Sequence, residues 1–348
     1  MELTRPAAIT VTPFEGDTAA WNALVARDAA GTFCHLAEWR DVLGDGLGHE
    51  CPYLVALGAD GSYLGVLPLV RVRSALFGHY LVSQPFLNGG GPLGTPAVSS
   101  RLAGEVAELA RRSGADLLEL RTRATVTTDL ALSHRKITVM LDLPGSADAL
   151  WRDAFPAKLR SQIRRPQKAG MEARFGDDQL EPFYDVFART MRDLGTPVLP
   201  RRFFERIVAA FAPLIACGVV YAGSRPVAGG LGFVWRDEFE MTWAGSLREY
   251  ASQAPNMLLY WAFLERMIER GLKRFDFGRC TPGGATHRFK RQWGGVDVPL
   301  PWLQWSARGL AGTPSPERPA FRLARAAWRR LPLPVANRLG PVLARQLP

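Results

Sequence analysis

The feature that most constrains this chain is an order of elements that occurs twice. "YLVALGADGSYLGVLPLVRV", from Tyr53, sets apolar residues on both sides of Asp60-Gly61, the pattern of a β-hairpin. "GVVYAGSRPVAGGLGFVWRDEFEMTWAG", from Gly218, again reads strand, Gly-Ser-Arg-Pro turn and strand, with a further strand after Arg236-Asp237. A helical stretch follows each: "SSRLAGEVAELARRSG" in the first half and "APNMLLYWAFLERMIERG" in the second. Both stretches end at a glycine, Gly114 and Gly271, the residue that most readily takes the left-handed conformation of a C-cap. Each glycine leads into a strand, "ADLLEL" or "LKRFDF", and aligning the glycines aligns Glu119 with Asp276. Two hairpin–helix–strand units predict tandem copies of one α+β fold. A length of 348 residues also exceeds what one core usually serves. Chance recurrence of a common order is the plain alternative.

The second copy is expected to begin near "LWRDAFPAKLRSQIRRPQKAGMEARFG", a basic helix that Pro166 should stop or kink. Such a helix reads either as a solvated face or as a phosphate contact. The predicted divisions are residues 1–145, 146–305 and a basic Pro/Arg-rich amphipathic tail, 306–348. Charge follows these divisions. Residues 1–150 carry 12 Lys and Arg against 16 Asp and Glu, residues 151–305 carry 23 against 16, and residues 306–348 carry 8 against 1. The basic part of the chain is therefore where an anionic partner would be met.

Cys34, Cys51, Cys217 and Cys280 are scattered, so neither a disulfide framework nor a zinc site is expected. The five histidines have no metal-ligand spacing, and no metal is predicted. No apolar run reaches the length of a membrane span, and "MELTRPAAITVTPFEGD" has no signal-peptide pattern, so a cytoplasmic protein is expected.

The segment with the most chemistry is "FDFGRCTPGGATHRFKRQWGG", Phe275–Gly295. It opens as a strand carrying Asp276, passes a Gly/Pro loop, and ends in a short helix that Thr286 could cap. Phe289 and Trp293 are four apart, so they share the face that anchors the helix. Lys290 lies one residue round from Phe289 and can present its ammonium to a pocket while its stem stays packed. A glycine loop, a helix start and several cations suit a phosphate or the oxyanion of acyl transfer. The bland reading is a basic loop with Lys290 in a surface ion pair.

With "VPLPW" following, this segment resembles the C-terminal signature of FemAB-like acyltransferases, in particular the branch associated with the PEP-CTERM/exosortase system. "HLAEWRDVLGDGLGHECPYLVAL", "SQPFLNGGGPLG", "RSQIRRPQKAGM", "SQAPNMLLYWAFLERMIERG" and the tail "AWRRLPLPVANRLGPVLARQLP" stand in that family's order. The resemblance implies two tandem GNAT-like domains with mixed sheets. It implies transfer of an activated acyl group, from aminoacyl-tRNA or acyl-CoA as co-substrate, to an amine of a cell-envelope or exopolysaccharide precursor, with no resident cofactor. By motif position Lys290 would hold a substrate phosphate or the developing oxyanion. Cys280 stands where Ser or Thr is expected. The acetyl-CoA fingerprint Q/R-x-x-G-x-G/A is absent, and so is an extended helical arm for tRNA.

The candidate catalytic residues are thus Lys290 and Asp276; the latter would be either a general base or the partner of Arg279 in an ion pair. The candidate substrate-binding residues are Arg279, Arg288, Trp293, Asn256, Tyr260 and Gly90. Ser252, Gln253 and Asn256 precede the long helix, where Ser252 is a candidate N-cap and Pro255 fits the first turn. Cys280 and His287 form a weaker rival, a thiol–imidazole pair. In the tail, Phe321, Ala324, Trp328 and Leu331 fall at helical spacing, with Arg322, Arg325 and Arg329 on another face. That pattern fits peripheral contact with the inner membrane, RNA, or docking on the protein itself. The non-enzymatic alternative is an RNA- or anionic-glycan-binding module on a degenerate tandem fold.

Overall fold

A computed structural model describes residues 9–74, 78–309 and 319–347, with the side chains of 319–321 excepted. Among these the chain forms two compact units that interleave in sequence. Unit 1 takes residues up to 134, then 299–309 and 345–347; unit 2 takes 135–298 and 319–344. Residues 310–318 of the expected tail, and the side chain of Phe321, lie outside the described residues.

Unit 1 runs β1 (Thr10–Pro13), α1 (Thr18–Arg27), α2 (Trp39–Leu47), β2 (Leu54–Leu57), β3 (Tyr63–Leu67), β4 (Val70–Ser74), β5 (Gly78–Val82), β6 (Leu93–Gly94), α3 (Pro96–Arg112), β7 (Leu117–Leu120) and β8 (Ala131–Ser133). Unit 2 runs β9 (Ile137–Asp142), the single turn α4 (Ala147–Ala149), α5 (Ala157–Lys168), β10 (Met171–Phe175), α6 (Leu180–Leu194), α7 (Arg201–Phe211), β11 (Ile215–Ala222), β12 (Arg225–Trp235), β13 (Glu238–Ser246), α8 (Pro255–Glu269), β14 (Arg274–Cys280), α9 (Ala285–Arg291) and β15 (Val296–Pro299). The chain then contributes β16 (Trp302–Ser306) to unit 1 and α10 (Pro319–Trp328) and α11 (Leu333–Ala344) to unit 2.

Unit 1 has two sheets, ordered β1-β2-β3-β6 and β4-β5-β7-β16-β8; unit 2 has one, ordered β10-β11-β12-β13-β14-β9-β15. Contiguous blocks meeting at 145/146 do not describe this arrangement. β9 lies before that boundary yet pairs with β14, and β16 lies in 146–305 yet pairs with β7. Each strand covers an edge whose N–H and C=O groups would otherwise lack partners.

The repeat read from the sequence reappears as a shared strand register. In unit 1, β5 pairs in parallel with β7 through Tyr80–Leu117, Leu81–Leu118 and Val82–Glu119. In unit 2, β13 pairs in parallel with β14 through Glu238–Arg274, Phe239–Phe275 and Glu240–Asp276. Both runs stop after three pairs, and the aligned acids Glu119 and Asp276 stand at the last pair of each.

The helices behind these strands start and stop for local reasons. Thr95 caps α3 by accepting the Val98 N–H, Pro96 fills the first position, and Gly114 ends it at φ +65. In α8, Pro255 is again first, but Ser252 is not the cap. Ala254 occupies that place in a left-handed conformation (φ +55), with no side-chain cap, and the Ser252 carbonyl accepts from Arg165. Helix α5 continues through Pro166 to Lys168, so the proline does not stop it there; its missing N–H gives up the one bond it would make to the Gln162 carbonyl. Two of its arginines act locally: Arg160 donates to the Phe155 carbonyl at 2.7 Å, and Arg164 lies 5.2 Å over the Trp151 ring.

The core of unit 1 also holds His35, which accepts the Thr32 N–H at Nδ1 and whose pKa burial pushes down to about 4. The unfolded chain binds a proton at this residue between about pH 6.5 and 4 and the folded chain does not, so stability falls as pH drops through that window. The loss is ~3 kcal/mol at full titration. Burial likewise lowers His49 to about 4, whereas Glu265, raised by burial to about 7, acts in the opposite sense from about pH 4.5 to 7. Urea melts of the parent and His35→Gln should therefore converge on acidification from pH 7 to 5. A gap between them that stays constant would show that His35 is not held neutral.

Candidate active site

Beyond Glu240 and Asp276 the paired strands of unit 2 part: β13 continues to Ser246 and β14 to Cys280 with no further pairing between them. On the other side of β14, its register with β9 shifts between Asp276 and Arg279, and Gly278 takes φ +76 there. A side chain would strain that backbone, which is why glycine stands at the bend. Asp276 is fully buried and fixes the irregularity. Its Oδ1 accepts the Gly278 N–H at 2.7 Å and the Thr138 hydroxyl of β9.

Lys290 reaches this place from α9. Its side chain is 5% exposed, and Nζ donates to the Gly278 carbonyl at 2.5 Å and the Arg279 carbonyl at 3.0 Å. Helix α9 spans only seven residues, and Thr286 does not cap it; Gly284 holds the N-cap position without a side-chain bond. The helix is fixed instead by its aromatic neighbours. Phe289 meets Tyr260 at 5.0 Å, and the following Trp293 meets Phe155 at 5.6 Å. An ammonium has three donors, and the two carbonyls take two of them. Burial lowers the Lys290 pKa, while Cys280, Asp276 and Glu240 pull it back up. Glu240, 1% exposed and register partner of Asp276, has no counterpart among the sequence candidates. The alternation of "EFEMTW" puts Glu240 on the face of Glu238 and gives no local sign of its burial.

The other candidates divide. Arg279 is half-buried on the same bend as Gly278, and Asn256 is half-buried in the first turn of α8. Arg288 is exposed and donates to the Gly283 carbonyl at 2.7 Å, so it holds its own loop. Tyr260 and Trp293 pack into an aromatic cluster with Phe277 and Phe289, and Trp293 is fully buried, leaving it no surface for a substrate. Cys280 and His287 do not join: burial raises the thiol pKa, and His287 takes the Gly283 N–H and Asp297 as partners, each at 3.0 Å. Among the described residues no group of His, Cys, Asp and Glu could hold a metal ion, and no helix is long and apolar enough to cross a membrane.

Gly90 belongs to unit 1 and shows what becomes of the equivalent place there. Past Val82 and Glu119 the space between strand ends is taken by the chain itself, from Ser83 to Gly91. Buried Arg121 bonds to Glu119 through Nε at 2.8 Å and to the Gln84 and Leu87 carbonyls through Nη1 at 3.1 and 3.0 Å. Its main chain receives Gly91 N–H at 2.9 Å and donates to Ser83 Oγ at 2.7 Å, and its guanidinium lies 4.7 Å over Trp302. Gln304 closes the second oxygen of Glu119 at 2.7 Å. Gln84 and Phe86 take left-handed conformations (φ +57 and +72), which cost roughly 1–2 kcal/mol each, and Gly90 is at φ +113 against the Gln84 side chain. Only glycine fits at Gly90, and the reason is loop packing.

Residues 155–291, all within unit 2, match the family model described as an acetyltransferase (GNAT) domain. Unit 2 thus contains a GNAT-domain match. No curated protein matches the sequence. Among solved structures, the chain is similar to FemX, with a TM-score of 0.62 at 13% identity over 90% of this chain and 100% of that one. It is similar to a tandem GNAT protein from the clavulanic acid biosynthesis pathway, with a TM-score of 0.54 at 14% identity over 88% and 100%. It is also similar to L-PGS from Bacillus licheniformis, with a TM-score of 0.54 at 12% identity over 90% and 98%. At such identities the likeness is one of fold: a FemAB-like tandem GNAT architecture.

Proposed function

We propose that this FemAB-like GNAT protein transfers an activated acyl group to an amine, and that unit 2 does the chemistry. The observation that carries this reading is the Lys290 ammonium, buried where β13 and β14 part. From Met241 to Ser246, β13 has no strand partner on the β14 side, so its main chain can pair with a donor that itself carries amides, as an acyl-CoA does. Aminoacyl-tRNA, the other donor suggested by the family resemblance, is the second candidate.

In the step itself the amine lone pair attacks the acyl carbon, and the carbonyl π pair moves to oxygen. The remaining Lys290 donor and its charge stabilise that oxyanion. Collapse expels the donor's thiolate, or ribose oxygen, which takes the proton the amine gives up. Asp276 and Glu240 hold Lys290 charged against its burial, and Asp276 keeps the Gly278 bend in shape, so it acts here by positioning. Arg279 and Asn256, both half-buried, are the polar groups we assign to substrate contact. The acceptor, an amine of a cell-envelope or exopolysaccharide precursor used at the cytoplasmic side of the inner membrane, rests on the sequence resemblance to the PEP-CTERM/exosortase-associated branch.

A non-catalytic reading, an anion-binding module for RNA or acidic glycan, is favoured by one observation: two Lys290 donors are already spent on main-chain carbonyls. The experiment offers radiolabelled acetyl-CoA and radiolabelled aminoacyl-tRNAs in parallel to the purified protein, with envelope extract as acceptor. The proposal expects label in an amine product from one donor class. Binding of either donor with no product in any fraction would favour the non-catalytic module.

A further inference from the structure

From Pro319 to Leu347 the chain has six arginines and no acidic residue. In unit 2 the two helices of this stretch lie against the end of α6. Arg325 and Arg329 both donate to the Leu194 carbonyl, at 3.2 and 3.3 Å, and Arg192 of α6 donates back to the Leu331 carbonyl at 3.1 Å. Helix α11 buries only small residues, Ala336, Gly340 and Ala344, and Gly340 sits against the main chain of Val198. Of its larger apolar side chains, Val335, Leu339 and Val342 are exposed, while Leu333 and Leu343 are half-buried.

That choice is unusual for this molecule. Of the eight exposed large hydrophobic residues among those described, five are here: Leu194 on α6, Leu323 on α10, and Val335, Leu339 and Val342 on α11. Leu323 is 73% exposed. Arg322, Arg330 and Arg338 stand exposed among them, and no carboxylate pairs with these three among the described residues. Beside this layer lies an open hollow of about 350 Å³ lined by Arg189, Arg192, Asp193, Leu247, Arg248 and Glu249. Its acids are engaged, Asp193 with Arg192 at 2.6 Å and Glu249 with Arg225, while Arg189 and Arg248 form no ion pair among the described residues.

We propose that α10, α11 and this arginine hollow form a docking surface for an anionic lipid bilayer, with the exposed aliphatic side chains entering the headgroup layer and a lipid phosphate seated between Arg189 and Arg248. Charge selects the partner, because the two helices carry arginine without acid and the hollow's two acids are already ion-paired, so the surface is drawn to a negatively charged leaflet within a Debye length. The exposed aliphatics select a bilayer over RNA: an interface takes up Leu and Val side chains, whereas single-stranded RNA gains from stacking on aromatic rings.

The surface does not use Lys290, so its test is separate from that of the acyltransferase reading. Full-length protein is co-sedimented with vesicles of pure phosphatidylcholine and with vesicles containing about one third phosphatidylglycerol, at low and high salt. Binding at least ten-fold stronger to the anionic vesicles, and weakened by salt, is expected. Leu323→Asp with Leu339→Asp should reduce binding to the neutral-vesicle level. Arg189→Gln with Arg248→Gln should weaken it several-fold, and free inorganic phosphate should compete only weakly. All variants should retain the parent's melting temperature, since Leu323, Leu339 and Arg248 are exposed and Arg189 is half-buried without an ion pair among the described residues; an aspartate variant that melts early is replaced by Leu323→Ser with Leu339→Ser. Equal binding to both vesicle types, wild-type binding by the aspartate variant, or binding to poly(U) RNA without binding to vesicles would each overturn the proposal.

Discussion

Lys290→Met should lower turnover by roughly 10²–10³-fold while leaving a folded protein. A preorganised donor aimed at the developing oxyanion is commonly worth ~3–4 kcal/mol, and methionine keeps the stem without the charge. The loss should fall on kcat more than on KM, because the interaction grows as the acyl carbon becomes tetrahedral. The substitution also strands the Gly278 and Arg279 carbonyls, which now share the ammonium at 2.5 and 3.0 Å. A stability loss of ~1–3 kcal/mol is therefore expected alongside, enough to lower the melting temperature by a few degrees without unfolding the chain. Initial rates with the active donor, measured on protein shown to be folded by circular dichroism, separate the two effects. A variant with unchanged kcat and a lower melting temperature would make Lys290 a scaffold residue only.

The largest effect on stability should come from unit 1. Arg121→Met leaves Glu119 as a buried carboxylate beside Gln304, and it releases the Gln84 and Leu87 carbonyls from the guanidinium. Breaking a buried pair from one side typically costs ~3–5 kcal/mol. The two left-handed residues of the loop, Gln84 and Phe86, then lose part of what holds them. The double variant Arg121→Met with Glu119→Gln should recover a good part of the loss, since it removes the orphaned charge. Guanidinium melts of the two variants check this; equal destabilisation in both would mean that the charge pair is not what closes this loop.

Much of this architecture was legible because the signals were local. The turn at Asp60-Gly61, the C-cap glycines Gly114 and Gly271, and the acids five residues beyond them need only neighbours along the chain, and they foretold the shared strand register. The inward placement of Lys290 was legible for the same reason, from its spacing to Phe289 and Trp293. What could not be read depended on partners distant in sequence. Thr138 reaches Asp276 across 138 residues because β9 pairs with β14, and nothing near position 138 announces that. Glu240 looks like an ordinary charged strand residue until β14 is laid beside it. Capping failed at Thr286 and Ser252, where Gly284 and the left-handed Ala254 stand instead, because tertiary packing of α8 and α9 overrode the local side-chain preference. Gly90 carried a true backbone constraint, and the contact behind it is the Gln84 side chain within unit 1.

The most direct test is hydrogen exchange of the main-chain amides with and without a saturating acyl donor, acetyl-CoA in one arm and aminoacyl-tRNA in the other. One donor should slow exchange along Met241–Ser246 and around Gly278, where strands part above the Lys290 ammonium, and should leave Ser83–Gly91 unchanged. Slowed exchange confined to Ser83–Gly91, with none along β13, would place the donor in the wrong unit and end this account.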